Sequence, residues 1–180
     1  MRGQLTSLDS FTMETYATIA KYKTSFNLFL PICLAMQLAG IEDKELYEAV
    51  KTVLLDIGHY YQVINDYNDC YGDPAGTGKI GTDIQDGKCS WLIVKALQAA
   101  DEGERRSLAL NYGLPNPENT ALVKSMFSKL RIEHKFKDYE KDTTKEIFER
   151  IDKVCAERNF PAKVFTALIV NITAKNKEDL

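Results

Sequence analysis

The chain has little of what marks the commoner binding classes. Its 23 lysines and arginines are outnumbered by 26 aspartates and glutamates, and charges of both signs are interspersed along its 180 residues. The basic patch that forms the usual footprint of a nucleic-acid binder is absent, so no nucleic-acid partner is expected. The four cysteines, Cys33, Cys70, Cys89 and Cys155, follow no zinc-finger or Cys-x-x-Cys spacing, which argues against a metal knuckle or a dithiol motif. Three of them sit in apolar or aromatic surroundings, where a free thiol behaves as a small hydrophobe. No secretory h-region follows Met1, and the longest apolar run, residues 28–36, is too short for a bilayer and contains Pro31. A cytoplasmic setting without a stable membrane anchor is the expectation. No stretch alternates apolar and polar residues as a half-buried strand does.

What is present is helical periodicity, in a composition that is 44% hydrophobic and suits one domain with a sizeable core. A first helix is expected over 13–38, bent at Pro31 and ended by Gly40. A second is expected over 43–71, with Gly72, Asp73 and Pro74 as its stop signal. Residues 72–88 are glycine-rich and read as irregular. Helical pattern returns at 91–100 and 102–111. Beyond Pro115 and Pro117 follow a longer helix to about residue 139, another over 143–157, and a last one after Pro161. Without repeats, linkers or low-complexity segments, residues 1–180 read as a single all-α domain.

The second helix holds the chemistry. At about 100° per residue, Leu46, Val50, Val53, Ile57, Tyr61, Ile64 and Tyr71 share one stripe that should face the core. Gln62, Asp66 and Asp69 gather within roughly 60° on nearly the opposite side. Asn65 and Asp69 are four apart, and Asp66 and Asp69 three apart, so their side chains are neighbours. Oxygen ligands crowded in this way suit magnesium, which takes a few carboxylates and leaves other positions to water and phosphate. The commoner explanation of such a cluster is a solvated helix face ending in a cap.

The loop that follows shifts the balance. Gly76, Gly78 and Gly81 match the dinucleotide fingerprint G-x-G-x-x-G letter for letter. That motif works between a strand and a helix, and here it follows a long helix in a chain without strands. A P-loop is excluded too, because the glycine five places upstream is missing and Ile80 follows Lys79. The glycines instead let the backbone close over the end of the aspartate helix, with Lys79 and Lys88 as a diphosphate clamp. Two surface lysines on a loop remain the plain alternative.

The segment QVINDYNDCYGDPAGTGKIGTDIQDGKCSW, residues 62–91, resembles the second aspartate-rich region of the farnesyl diphosphate synthase family and the block after it. KYKTSF, residues 21–26, resembles that family's segment with a diphosphate-contacting lysine and its threonine neighbour. The resemblance covers nearly the whole chain but only about the C-terminal half of the family's all-helical bundle. It implies a trans-type prenyltransferase of isoprenoid biosynthesis. Such an enzyme joins dimethylallyl or geranyl diphosphate to isopentenyl diphosphate by ionising the allylic C–O bond, with Mg2+ and basic residues taking up the charge. Carried over by position, Asp66 and Asp69, with Asn65, belong to the metal motif. Lys23, Gln62, Lys79 and Lys88 grip the allylic diphosphate. Thr24 stands near the developing carbocation, and Tyr61 faces the homoallylic substrate. The resemblance also implies a homodimer when the chain is complete.

Three departures stand out. Asn65 replaces the first of two adjacent aspartates, and an amide supplies no charge, so metal affinity should fall. No Asp-Asp pair occurs anywhere, so the first aspartate-rich motif is absent. The tail reads AKNKEDL where the family usually ends in a basic cluster. Two other readings therefore stay open: a terpene synthase on the same scaffold, suggested by the one-five-nine spacing of Asn65, Asp69 and Asp73, and a non-catalytic partner of an intact synthase.

Overall fold

A computed structural model describes residues 8–78 and 80–177. No strand occurs among them; a 3₁₀ turn at Leu8–Ser10 precedes nine α-helices, in accord with the all-α expectation. They are α1 (Met13–Ala20), α2 (Phe26–Leu38), α3 (Lys44–Tyr71), α4 (Pro74–Thr77), α5 (Trp91–Ala99), α6 (Glu102–Asn111), α7 (Pro117–Lys129), α8 (Ile132–Arg158) and α9 (Lys163–Lys177).

Local chemistry explains most boundaries. Asp43 caps α3 by accepting from the Glu45 and Leu46 amides at 2.9 and 3.0 Å. Asp101 and Glu104 form a reciprocal capping box at the start of α6, each bond 2.8 Å. Gly40, at φ +72°, ends α2 in the left-handed region where a side chain would be strained.

Three boundaries depart from the expectation. The first helical stretch continues through Pro31, which lies inside α2, but is interrupted earlier by a π-helical turn at Lys21–Ser25 between α1 and α2. The glycine-rich segment contains one helical turn, α4, because Asp73 accepts from the Ala75 amide at 3.0 Å, Pro74 pre-sets the backbone, and Gly78 terminates it at φ +70°. The late break falls at Leu130–Arg131, where Arg131 takes φ +56°, and α8 runs without interruption through residues 139–143. Thr144 hydrogen-bonds back to the Glu140 carbonyl, so a threonine pair that reads as a helix end is accommodated inside one.

The chain divides into two compact units. One comprises Val63–Asp138 with the stretch up to Ala17; its buried side chains include Val63, Ile64, Trp91, Ile93, Phe127 and Ile132. In it Tyr67 stacks on Phe136 at a 3.8 Å centroid separation, and Trp91 meets the same ring edge-on at 6.1 Å. The other comprises Thr18–Gln62 with the stretch from Tyr139; Leu54, Ile57, Tyr60, Ile151 and Phe165 are buried there. On α3 the buried face is broader than the stripe read from sequence: Leu54, Tyr60 and Val63 join it, while Tyr61 and Tyr71 are only half-buried. Tyr60 is the enclosed member of the tyrosine pair, its hydroxyl donating to Glu140 at 3.2 Å. No described helix is long and apolar enough to cross a membrane.

Candidate functional site

The aspartate cluster is not a solvated helix face. Asp66 is 4% exposed, and its Oδ2 accepts a 2.8 Å hydrogen bond from the backbone N–H of Trp91, the first residue of α5. Ser90, at the N-cap of α5, makes no side-chain capping bond. A carboxylate from α3 therefore satisfies a helix N-terminus that its own cap leaves open, with the helix dipole favouring the negative charge. Asp69 is half-buried and plays a matching part for the loop, its Oδ2 accepting from the Asp83 amide at 2.8 Å.

That loop lies directly on the end of α3. A Cβ at Gly81 would stand 1.6 Å from the Asp69 carbonyl oxygen and 2.8 Å from its Oδ2, so only glycine permits the approach. The sequence reading of these glycines is right for Gly81. Gly78 instead ends a helical turn, and a side chain there would meet open space.

Lys88 stands at the far end of the loop, exposed, with its ammonium 2.7 Å from Asp83 and 3.2 Å from Asp86. The Asp83 hydrogen bond above all raises its pKa. The Asp86 carboxyl is held below the usual range, first by the Thr82 hydroxyl at 2.8 Å and then by Lys88. Tyr112 anchors this end by donating to the Lys88 carbonyl at 2.7 Å. Sequence reasoning missed Asp83 and Asp86, although carboxylates five and two residues ahead of a loop lysine are a legible signal. Lys79 lies outside the described residues. Asp73, the last member of the one-five-nine spacing, is the N-cap of α4.

Lys23, Thr24, Tyr61 and Gln62 belong to the other unit. Lys23 and Thr24 occupy the π turn. Lys23 is exposed, and Thr24 is buried with its Oγ1 donating to Gln62 Oε1 at 2.5 Å. Gln62 is 4% exposed. The threonine and glutamine that sequence treated as separate contributors are thus a hydrogen-bonded pair.

Comparison with known proteins is consistent in kind. The model of the polyprenyl synthetase family matches residues 1–130. The chain is 42% identical to farnesyl pyrophosphate synthase of Gallus gallus over 171 residues, 94% of this chain and 46% of that protein. It is 39% identical to the Saccharomyces cerevisiae enzyme, over 94% of this chain and 49% of that one. Farnesyl pyrophosphate synthase 2 of Arabidopsis thaliana is 42% identical, over 93% and 47% respectively. Two solved structures of T. brucei FPPS, each in complex with a small molecule, align with TM-scores of 0.83 and 0.85 at 29% and 28% identity. They cover 91% and 93% of this chain but 50% and 51% of theirs. The chain spans about half the length of the curated relatives it matches. Over that span, with its all-helical architecture and the aspartate helix closed by a glycine loop, the chain belongs to the polyprenyl synthetase family.

Proposed function

We propose that this chain is the diphosphate-binding half of a farnesyl diphosphate synthase-type prenyltransferase, an incomplete domain that lacks the first aspartate-rich half. The reading is supported most by one observation. A half-buried carboxylate, Asp69, receives a loop that brings Lys88 with it, on the same helix as the buried Asp66.

Among the described residues no group of three or more His, Cys, Asp or Glu side chains is arranged to hold a metal. The donor chemistry nevertheless fits Mg2+, which binds through one or two carboxylates and fills its remaining positions with water and substrate phosphate. Asp66, Asp69 and the amide oxygen of Asn65 are the residues that would hold it. The ion would neutralise charge on a departing diphosphate. Lys23, Lys79, Lys88 and Gln62 are donors for the diphosphate oxygens, Lys as a point charge and Gln through its amide. Thr24 faces the reacting carbon and Tyr61 the second substrate. In the complete protein the substrates are dimethylallyl, geranyl and isopentenyl diphosphates, the assembly is a homodimer, and the compartment is the cytoplasm.

Titration calorimetry with inorganic pyrophosphate tests the reading on the chain as it stands. Binding is expected only with Mg2+ present, because either ligand alone meets uncompensated like charge or too few oxygens. Equal affinity with and without the metal refutes it.

A further inference from the structure

The turn that holds Lys23 and Thr24 is an irregularity kept in place by its neighbours. Lys21–Ser25 is π-helical, and the Phe26 amide bonds to the Lys21 carbonyl five residues back. A π turn takes up one residue more than an α turn, which re-aims the side chains around it, and it is a rare conformation that needs support. Three contacts supply that support. Ser25, 1% exposed, donates its hydroxyl to the Leu55 carbonyl at 3.1 Å. Asn27 donates its amide to the Lys23 carbonyl at 2.8 Å. Gly58 is buried against the turn, and a Cβ there would lie 2.4 Å from Ser25 Cα and 2.9 Å from its Cβ. Leu55, Gly58 and Gln62 fall three and four residues apart, on one face of α3. The same face thus seats the turn and receives the Thr24 hydroxyl at Gln62.

We propose that Gly58 and Ser25 are positioning residues for the diphosphate subsite. They set the depth of the π turn against α3 so that Thr24 fixes the orientation of the Gln62 amide. An amide whose oxygen accepts from Thr24 turns its NH2 group toward another partner, and that group is the donor an anion requires. Without the threonine bond the amide can flip and present oxygen instead, which repels phosphate. Gly58 acts through Ser25 and Thr24, since an added methyl there strikes backbone rather than a side chain that can swing aside. The proposal rests on the diphosphate reading for its purpose but not for its geometry.

The test uses the full chain, isotopically labelled, with the side-chain NH2 resonances of Gln62 assigned by comparison with Gln62→Glu. Thr24→Val sets the position of those resonances when the hydroxyl bond is gone. Gly58→Ala is expected to move them most of the way to that position. It should also weaken Mg2+-dependent pyrophosphate binding by about tenfold, the loss expected from a misplaced but intact donor. Val53→Ala, a buried truncation on α3 away from the turn, controls for general destabilisation and should leave the resonances at their wild-type values. Should Gly58→Ala not fold, Ser25→Ala removes the Leu55 bond without adding volume and is expected to produce the same shift. Unmoved Gln62 resonances in the folded Gly58 or Ser25 variant, or an equal shift in Val53→Ala, overturn the proposal. Wild-type protein that binds no pyrophosphate while the resonances shift as described overturns the diphosphate reading alone and leaves the positioning upheld.

Discussion

Gly81→Ala is the sharpest perturbation available, because its sign discriminates. Gly81 does not adopt a positive φ, so alanine is conformationally permitted there. In open space such a change stabilises a protein by about 0.4–1 kcal/mol through the unfolded chain. Here the new Cβ would stand 1.6 Å from the Asp69 carbonyl oxygen and 2.5 Å from its carbon, both backbone atoms that cannot swing aside. The loop must lift off the end of α3, and the Asp83 amide then loses its 2.8 Å bond to Asp69. A hydrogen bond to a charged group contributes about 1.5–3 kcal/mol. Set against the unfolded-state gain, a net loss of about 1–2 kcal/mol is expected. For a chain of this size that lowers Tm by roughly 2–8 °C. Urea unfolding and a thermal melt read the loss, and calorimetry should show weakened Mg2+-dependent pyrophosphate binding in the same variant. A Gly81→Ala protein as stable as wild type, or more stable, would show that the loop does not sit on α3 as described.

The remaining predictions concern charge. Asn65→Asp should raise the affinity for Mg2+ with pyrophosphate about tenfold, or roughly 1.4 kcal/mol, and lower stability in metal-free buffer through repulsion from Asp66; calorimetry with matched melts checks both. Asp86→Asn removes one of the two carboxylates on Lys88 and should tighten pyrophosphate binding, whereas Asp73→Asn, at a similar formal charge change, should not. His59 lines a cavity of about 200 Å3 with Asp56, Tyr139, Glu146 and Arg150, and burial, partly opposed by the Asp56 charge, lowers its pKa from 6.5. Its stabilising contribution is therefore complete above pH 6.5 and is lost as pH falls below that value. Burial raises the Asp56 pKa from 3.8 against the opposing Arg150 charge, so its contribution has the opposite slope, complete below 3.8 and lost as pH rises above it. Melts between pH 5.5 and 7.5 should show a decline on acidification that is shallower in His59→Gln; equal slopes would exclude the assignment.

How much was legible in the sequence depends on the range of the forces involved. Capping and periodicity act within a few residues, so α3, α5 and α6 begin and end within a residue of where their patterns place them. Close approach was legible at Gly81, since a glycine after a long helix has few other uses. The π turn was not legible, because two of its three supports lie on α3, thirty residues away at Leu55 and further at Gly58. Pro31 lies inside α2, which continues through it, and carries no signal of the irregularity at residues 21–25. Asp83 and Asp86 were overlooked because a loop carboxylate becomes informative only when its cation is located. The burial of Asp66 was likewise hidden, as a helical wheel shows angle and not what packs against it.

The division of labour among the three candidate ligands explains why Asn65 is the position to change. Asp66 accepts the first amide of α5 and Asp69 accepts the Asp83 amide, so each carboxylate holds up part of the fold that would bring diphosphate to the metal. Alanine at either removes a structural acceptor and a ligand together, and a loss of binding then has two explanations. A buried amide left without its acceptor costs about 1–3 kcal/mol, enough to shift the loop and Lys88 before any metal is considered. Asparagine at Asp66 or Asp69 keeps an acceptor oxygen while removing the charge, which separates the two roles. Among the described residues no comparable structural bond is seen at Asn65, which is half-buried on the same turn of α3. A carboxylate installed there adds charge without taking away a support. If the cluster serves a metal, the gain in affinity at residue 65 and the loss at 66 and 69 in their asparagine forms must be readable without large changes in the metal-free fold. If the carboxylates serve only as caps, Asn65→Asp changes no metal dependence, and the asparagine variants of Asp66 and Asp69 differ from wild type in stability alone.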